Sequence, residues 1–325
     1  MENEGKIRLL TLYKVLYERT DAEHPLSTAQ LIDILANEYS ISAHRSTITK
    51  DADVLISFGI NVIRIESTQN KYYIGAREFE TSELKLLIDA VESSKFITEN
   101  KSQALVSKLS KLTSENISPS IKRNLCTEGR IKPGNEKIYS IVDTINDAIN
   151  QGKQISFQYF QYDLKKHKKL RNNGESYNFS PYSLVWNGDY YYVIGYSDKY
   201  NGIGTFRVDR IADSPKILKD ASVPMPQDFS LAHYVTATFR MFNKEPEIVD
   251  LICENSVIDA IIDRFGEDIK IYANDLNTFR IVVDVATTHI FYSWVFGFQG
   301  KVKIKGPENV KNTYNQMVKT AAQSL

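Results

Sequence analysis

The stretch Gly188–Ile211 reads GDYYYVIGYSDKYNGIGTFRVDRI. Two β-runs, DYYYVIGYS and GTFRVDRI, flank a turn rich in Gly and Asn, which predicts an antiparallel hairpin. Three adjacent tyrosines in one strand and two arginines in the next admit two readings. In the first, an aromatic strand packs beside an edge strand with solvated arginines. In the second, rings and guanidinium groups together hold a planar anion. Alternation sets Phe206, Val208 and Arg210 on one face, with Thr205, Arg207 and Asp209 on the other. It likewise sets Tyr190, Tyr192 and Ile194 against Tyr191, Val193 and Gly195. One face must be core, so at least one tyrosine of the triplet packs.

Upstream the period is also two. QISFQYFQY at 154–162 alternates, and YNFSPYSLVWNG at 177–188 follows a basic loop, KKHKKLRNNG, at 165–174. Residues 151–180 carry six Lys/Arg against two Asp/Glu, a net of +4. Such a run is usually a solvated hairpin, yet as a field it draws anions. Short strands at this spacing predict a small, strongly bent β-barrel.

Before the barrel the pattern is helical. Residues 6–19 form one predicted helix. STAQLIDILANEY at 27–39 opens with a capping box, Ser27 and Gln30. ISAHRSTITKDADVLISFG at 41–59 is a third helix, capped by Ser42 and stopped at Gly59. NVIRI and KYYIG then predict a hairpin, and three helices with a hairpin make a winged helix-turn-helix. Opposite the inward Ile48 and Leu55 lie Arg45, Ser46, Thr49, Lys50 and Asp53, with Thr47 beside them. Cations and hydroxyls near a helix start suit the major groove. Arg64 and Lys71 on the hairpin complete the expected DNA-binding set. Against this, residues 1–78 carry nine Lys/Arg and eleven Asp/Glu, a net of −2, where a DNA-binding module is usually basic.

Helical periodicity returns at 81–112 and 135–152. The apolar faces Leu84–Val91 and Ile138–Ile149 are candidate dimer contacts, or simply intrachain packing. Beyond the barrel, SLAHYVTATFRMF at 230–242 is helical. The order strand EIVDLIC, helix SVIDAIIDRFG, strands DIKIYAN and FRIVVDVA, helix FYSWVFGF and strand KVKIKG follows. This is the βαββαβ order of a ferredoxin-like unit. Pro307 opens a last helix.

The segment from Tyr177 to Ile211 resembles the WYL-domain transcriptional regulators. Tyr191-Tyr192-Val193 takes the place of the family's Trp-Tyr-Leu triplet, with only the middle residue shared. The Ser180-Pro181-Tyr182 turn, the Gly195-Tyr196 strand end and the Phe-Arg-Val-Asp-Arg-Ile strand are similar. STITKDADVLISFGI at 46–60 resembles the family's recognition helix, and FYSWVFGFQGKVKIKGPENV at 291–310 its C-terminal extension. The resemblance implies an α+β multidomain regulator. It would comprise a winged helix-turn-helix at 1–78, a helical connector at 79–135, an Sm/SH3-like WYL barrel at 136–225 and a ferredoxin-like extension at 226–325. It implies binding to double-stranded DNA as a homodimer, and sensing of a nucleotide or single-stranded nucleic acid. The ligand-binding residues expected from it are Tyr159, His167, Tyr182, Tyr192, Arg207 and Arg210. Arg207 stands beside Asp209, and Arg210 is alternatively a structural ion-pair partner. A second reading is a nucleic-acid-binding effector without promoter specificity, acting in DNA damage or phage defence.

Composition fits these readings. The chain has 325 residues, 42% hydrophobic, with 40 Lys/Arg against 40 Asp/Glu. Bulk charge therefore selects no partner. Cys126 and Cys253 lack metal-ligand spacing, and no metal or cofactor is expected. The opening MENEGKIRLL carries acids where a secretory signal carries cations, and no apolar run spans a membrane. The expected location is cytoplasmic. The five histidines are scattered, and no Walker loop, His-Glu-x-x-His or Gly-x-Ser-x-Gly occurs, so no enzyme is expected.

Overall fold

The computed structural model describes residues 2–122, 132–237 and 246–324. Cys126 and the second half of the helix expected at 230–242 lie outside the described residues. The chain is a mixed α+β protein with several antiparallel sheets. It divides into two compact units, Met1–Glu136 and Lys137–Leu325.

The first unit begins with α1 (Glu2–Arg19), β1 (Leu26–Ser27), α2 (Thr28–Tyr39), α3 (Arg45–Ser57), β2 (Val62–Ile65) and β3 (Lys71–Ile74). The strands form a sheet in the order β1-β3-β2. Leu12, Leu16, Leu31, Leu35, Ile48 and Tyr72 are fully buried between helices and sheet. The capping box of α2 is present: the Gln30 amide donates to Ser27 Oγ at 3.3 Å, and the Ser27 amide donates to Gln30 Oε1 at 2.9 Å. Ser42 does not cap α3. The chain stays extended through His44, which takes the cap position without a side-chain bond, so the helix begins at Arg45. Arg8 ties α1 to α3 through the largely buried Asp51, Nε to Oδ2 at 2.7 Å.

The unit continues with α4 (Thr81–Ser93), α5 (Glu99–Leu109) and α6 (Ser118–Lys122). Leu84, Ile88, Val106 and Ile121 close around one another. The segment before α6 is bound to the end of α1: Ser114 Oγ donates to Asp21 Oδ2 at 2.5 Å, and the Glu115 amide to the Glu18 carbonyl at 2.7 Å.

The second unit opens with α7 (Ile138–Gln151), ended by Gly152 at φ +61°. Next come β4 (Lys153–Phe157), β5 (Phe160–Tyr162), β6 (Lys168–Leu170), β7 (Tyr177–Asn187), β8 (Tyr190–Ser197), β9 (Gly202–Arg207) and β10 (Lys216–Ala221). Five strands form a sheet in the order β10-β4-β7-β8-β9, while β5 and β6 make a separate ribbon. A backbone bridge between Tyr159 and Ile211 links the chain just past β4 to the chain just past β9. The alternating run 154–162 is thus two strands broken at Gln158 and Tyr159, and part of the expected basic loop is β6. At Gly195 a Cβ would lie 2.1 Å from the Ser180 carbonyl oxygen, so only glycine lets β7 and β8 approach here.

The remainder comprises α8 (Leu231–Ala237), β11 (Glu247–Glu254), α9 (Ile258–Phe265), β12 (Ile271–Ala273), β13 (Thr278–Val285), α10 (His289–Gly297), β14 (Val302–Gly306) and α11 (Glu308–Gln323). Its sheet runs β12-β13-β11-β14. Leu251, Ile281, Ile261 and Phe291 are fully buried in its core.

Much of the two helix faces considered for dimer contact is used inside the chain. Leu84 and Ile88 on α4, and Ile138, Ile141 and Ile145 on α7, are fully buried. Leu87, on the same helix as Leu84 and Ile88, stays exposed.

Candidate functional site

Strands β8 and β9 pair with Tyr192 opposite Arg207, Val193 opposite Phe206 and Ile194 opposite Thr205. Opposed residues share a face, so the two faces of this hairpin can be followed separately. Phe206 points into an aromatic core, with ring centroids 5.1 Å from Phe157 and Tyr177, 5.2 Å from Tyr159 and 5.3 Å from Phe179. The opposite face lies beneath α8. Tyr234 and Phe229 pack there on Tyr192, Ile194, Tyr190 and Val185. Tyr190 and Tyr192 are therefore packing residues, and Tyr191 on the core side of the alternation lies 5.7 Å from the Trp186 ring.

Arg207 ends β9. The next residues, Val208–Arg210, form a 3-10 turn, so the alternation expected through Arg210 stops at Arg207. The turn brings Asp209 back onto Arg207. Nη2 lies 2.7 Å from Oδ2 and Nε 3.1 Å from Oδ1. The guanidinium carbon sits 3.3 Å from the Tyr190 ring centroid. Burial disfavours the Arg207 charge, but the bonds to Asp209 prevail and its pKa stands above the ordinary value. This guanidinium is held from two sides by its own chain.

The open edge of β9 is different. A hollow of about 250 Å³ is lined there by Tyr159, Arg171, Tyr200, Gly204, Thr205 and Phe206. The Tyr159 hydroxyl accepts the edge amide of Arg207 at 3.2 Å. Burial pushes its pKa up to about 12, so it stays neutral. The Arg171 amide donates to the Tyr159 carbonyl at 2.7 Å, and its guanidinium carbon lies 5.7 Å from the Tyr159 ring centroid. Lys199 Nζ stands 5.3 Å from the Tyr177 ring and 5.8 Å from that of Tyr200, and it donates to Asn172 Oδ1. Arg210 acts electrostatically on Tyr159. Among the described residues, Arg171 and Arg210 have no carboxylate within ion-pair distance. Rings beside uncommitted cations can stack a base and bind a phosphate.

Of the expected ligand residues, Tyr159 lines this hollow, and Arg210 acts on Tyr159 without lining it. Tyr192 lies beneath α8, and Arg207 is its cross-strand partner on that face of the hairpin. His167 sits in the turn of the β5–β6 ribbon with its side chain 74% exposed, Nδ1 3.5 Å from Asp163. Tyr182 donates to the Pro224 carbonyl at 3.1 Å. Neither His167 nor Tyr182 lines the hollow. The sequence reading did not single out Arg171, Lys199 or Tyr200. Arg171 was one cation of a basic run, and the other two fall in a turn without periodicity.

In the first unit a groove of about 310 Å³ is lined by Arg45, Ser46 and Thr49 of α3, Thr28 and Ala29 of α2, and the 67–70 turn. Arg45, Ser46 and Lys50 are exposed, and Thr47 is half-buried. Thr49 Oγ1 donates to the Arg45 carbonyl at 3.2 Å. Arg64 is engaged elsewhere, with Nη1 2.9 Å from Asp53 Oδ1 and Nη2 3.9 Å from Glu66. Lys71 is exposed at the start of β3, opposite Ile65.

Set beside known families, the central segment has a counterpart. Residues 140–214 match the WYL domain. The match covers most of α7 and the strands β4 to β9, including Tyr159, Arg171, Tyr192 and Arg207. A search of characterised proteins gives no match. Solved structures similar to this chain include these two. One is proteasome accessory factor B/C (PafBC) of Arthrobacter aurescens, at 17% identity and a TM-score of 0.29, over 99% of this chain and 47% of that one. This chain therefore spans about half the length of PafBC. The other is a CRISPR Cas-related protein, at 10% identity and a TM-score of 0.37, over 92% of each chain. Among the described residues no helix is long and apolar enough to cross a membrane, and no cluster of His, Cys, Asp and Glu could hold a metal ion.

Proposed function

We propose that this chain is a DNA-binding transcriptional regulator whose WYL region senses a nucleotide or nucleic-acid ligand in the hollow at the edge of β9. The observation that carries the reading is the uncommitted Arg171 beside the Tyr159 and Tyr200 walls of that hollow. Arg171 binds the phosphate and the rings hold a base, while Arg207 is part of the frame. The element order α1-β1-α2-α3-β2-β3 supports reading 1–78 as a winged helix-turn-helix. The groove at the start of α3 is its DNA contact, and two copies of the chain bind two half-sites. The strand order β12-β13-β11-β14 supports a ferredoxin-like C-terminal unit.

Calorimetric titration with adenosine monophosphate and a four-residue oligodeoxyadenylate tests the sensor reading. Binding to the folded wild type, weakened at least 10-fold in Arg171→Ala, is expected. Equal affinity in the variant rejects the site. The rival reading, an effector without promoter specificity, is favoured by the net charge of −2 over residues 1–78 and by the engagement of Arg64 with Asp53. Sequencing the genomic fragments retained by the purified protein decides between them. A regulator enriches one duplex motif, and an effector enriches none.

A further inference from the structure

Helix α8 touches both sheets of the second unit. Toward the five-stranded sheet, Tyr234 covers Tyr192 and Ile194, and its hydroxyl shares a hydrogen bond with Thr205 Oγ1 at 3.0 Å. Toward the four-stranded sheet, His233 Nε2 lies 3.0 Å from Asp284 Oδ2 on β13, and the Ala286 amide donates to the Ala237 carbonyl at 3.0 Å. Thr205 also belongs to the wall of the hollow. An occupant of the hollow meets β9 at Gly204–Phe206, and the middle residue of that stretch is the one that holds α8.

We propose that α8 is a clamp between the two sheets, closed by the Tyr234–Thr205 hydrogen bond and opened when a ligand fills the hollow. This deepens the sensor reading above and rests on it for the ligand. Thr205 has one hydroxyl proton and two lone pairs. A ligand seated against Gly204–Phe206 shifts β9, and a shifted Thr205 hydroxyl no longer meets Tyr234. Linkage then fixes the signs. If the ligand opens the clamp, a protein with the clamp already open binds the ligand more tightly. Tyr234→Phe removes the hydroxyl and keeps the ring over Tyr192, so the packing beneath α8 survives. Thr205→Val removes the same hydrogen bond from its other end.

Two measurements on the full chain test this. Without ligand, amide hydrogen exchange at 231–237 and 280–286 should quicken in Tyr234→Phe and in Thr205→Val, by about 2- to 10-fold, the worth of one neutral hydrogen bond. The double variant should be no faster than either single one. Unchanged exchange at 280–286 in both variants overturns the clamp, whatever the ligand proves to be. With the oligodeoxyadenylate, affinity should rise about 2- to 10-fold in both Tyr234→Phe and Thr205→Val. Affinities that fall in both variants overturn it too. An oligonucleotide that fails to bind the wild type rejects the sensor reading itself, and the exchange measurement still decides whether α8 clamps the sheets.

Discussion

Tyr192 and Arg207 stand directly opposite each other in β8 and β9, yet both belong to the frame of the WYL region and not to its open edge. Tyr192 is capped by Tyr234, and Arg207 is gripped by Asp209 and stacked on Tyr190. Among the described residues, Arg171, 5.7 Å from the Tyr159 ring, and Arg210, which acts electrostatically on Tyr159, have no carboxylate within ion-pair distance. That division between frame and edge yields the first prediction.

Asp209→Ala leaves a largely buried guanidinium without its acid. It should lower stability by about 1–3 kcal/mol, the penalty of an unsatisfied buried group. Thermal unfolding reads this directly. Oligonucleotide affinity of the folded fraction should stay within 2-fold of wild type. A large loss of affinity with stability intact would return Arg207 to the binding site.

Arg45 and Lys50 are exposed at the start of α3, while Arg64 is spent on Asp53. Arg45→Ala and Lys50→Ala should each weaken duplex binding by about 1–3 kcal/mol. Arg64→Ala should weaken it less than either. Gel-shift titrations at fixed salt give the ranking, and an Arg64→Ala loss larger than the other two reverses the assignment.

The neutral, buried Tyr159 makes stability depend on alkaline pH. Its folded pKa is raised from 10.0 to about 12 by burial. A raised pKa means that the folded state keeps the proton longer. The contribution is present in full below pH 10 and is lost as the pH climbs from 10 toward 12. At 1.36 kcal/mol per unit this is about 2–3 kcal/mol. Burial also raises the pKa values of Tyr192 and Tyr234, which act in the same sense. The difference between wild type and Tyr159→Phe isolates one residue. Chemical denaturation at pH 9, 10 and 11 should show the wild type losing stability faster, and parallel slopes would contradict the assignment.

Much of this fold is legible in the sequence because it rests on local signals. The Ser27–Gln30 box, the Ile138–Ile149 stripe with Gly152, and the β8–β9 hairpin are all read from spacing within a few residues of one another. What escapes the sequence is set by contacts distant along the chain. Whether Arg207 meets a ligand or Asp209 depends on a 3-10 turn that alternation cannot foresee. Whether the tyrosine face is open depends on α8, whose Tyr234 arrives from beyond the five-stranded sheet. β10, at Lys216–Ala221, has an exposed, charged end and so lacks a clean period of two. Arg171, Lys199 and Tyr200 come together only when the end of β6 and the β8–β9 turn meet at one edge.

The central claim is that filling the hollow changes how the first unit holds DNA. Duplex affinity should be measured on the motif recovered by sequencing, with and without saturating oligodeoxyadenylate, for wild type and Arg171→Ala. The predicted result is a shift of at least 5-fold in the wild type, the lower range of allosteric coupling, and none in Arg171→Ala. Identical duplex affinity in the wild type with the hollow filled and empty would contradict the account.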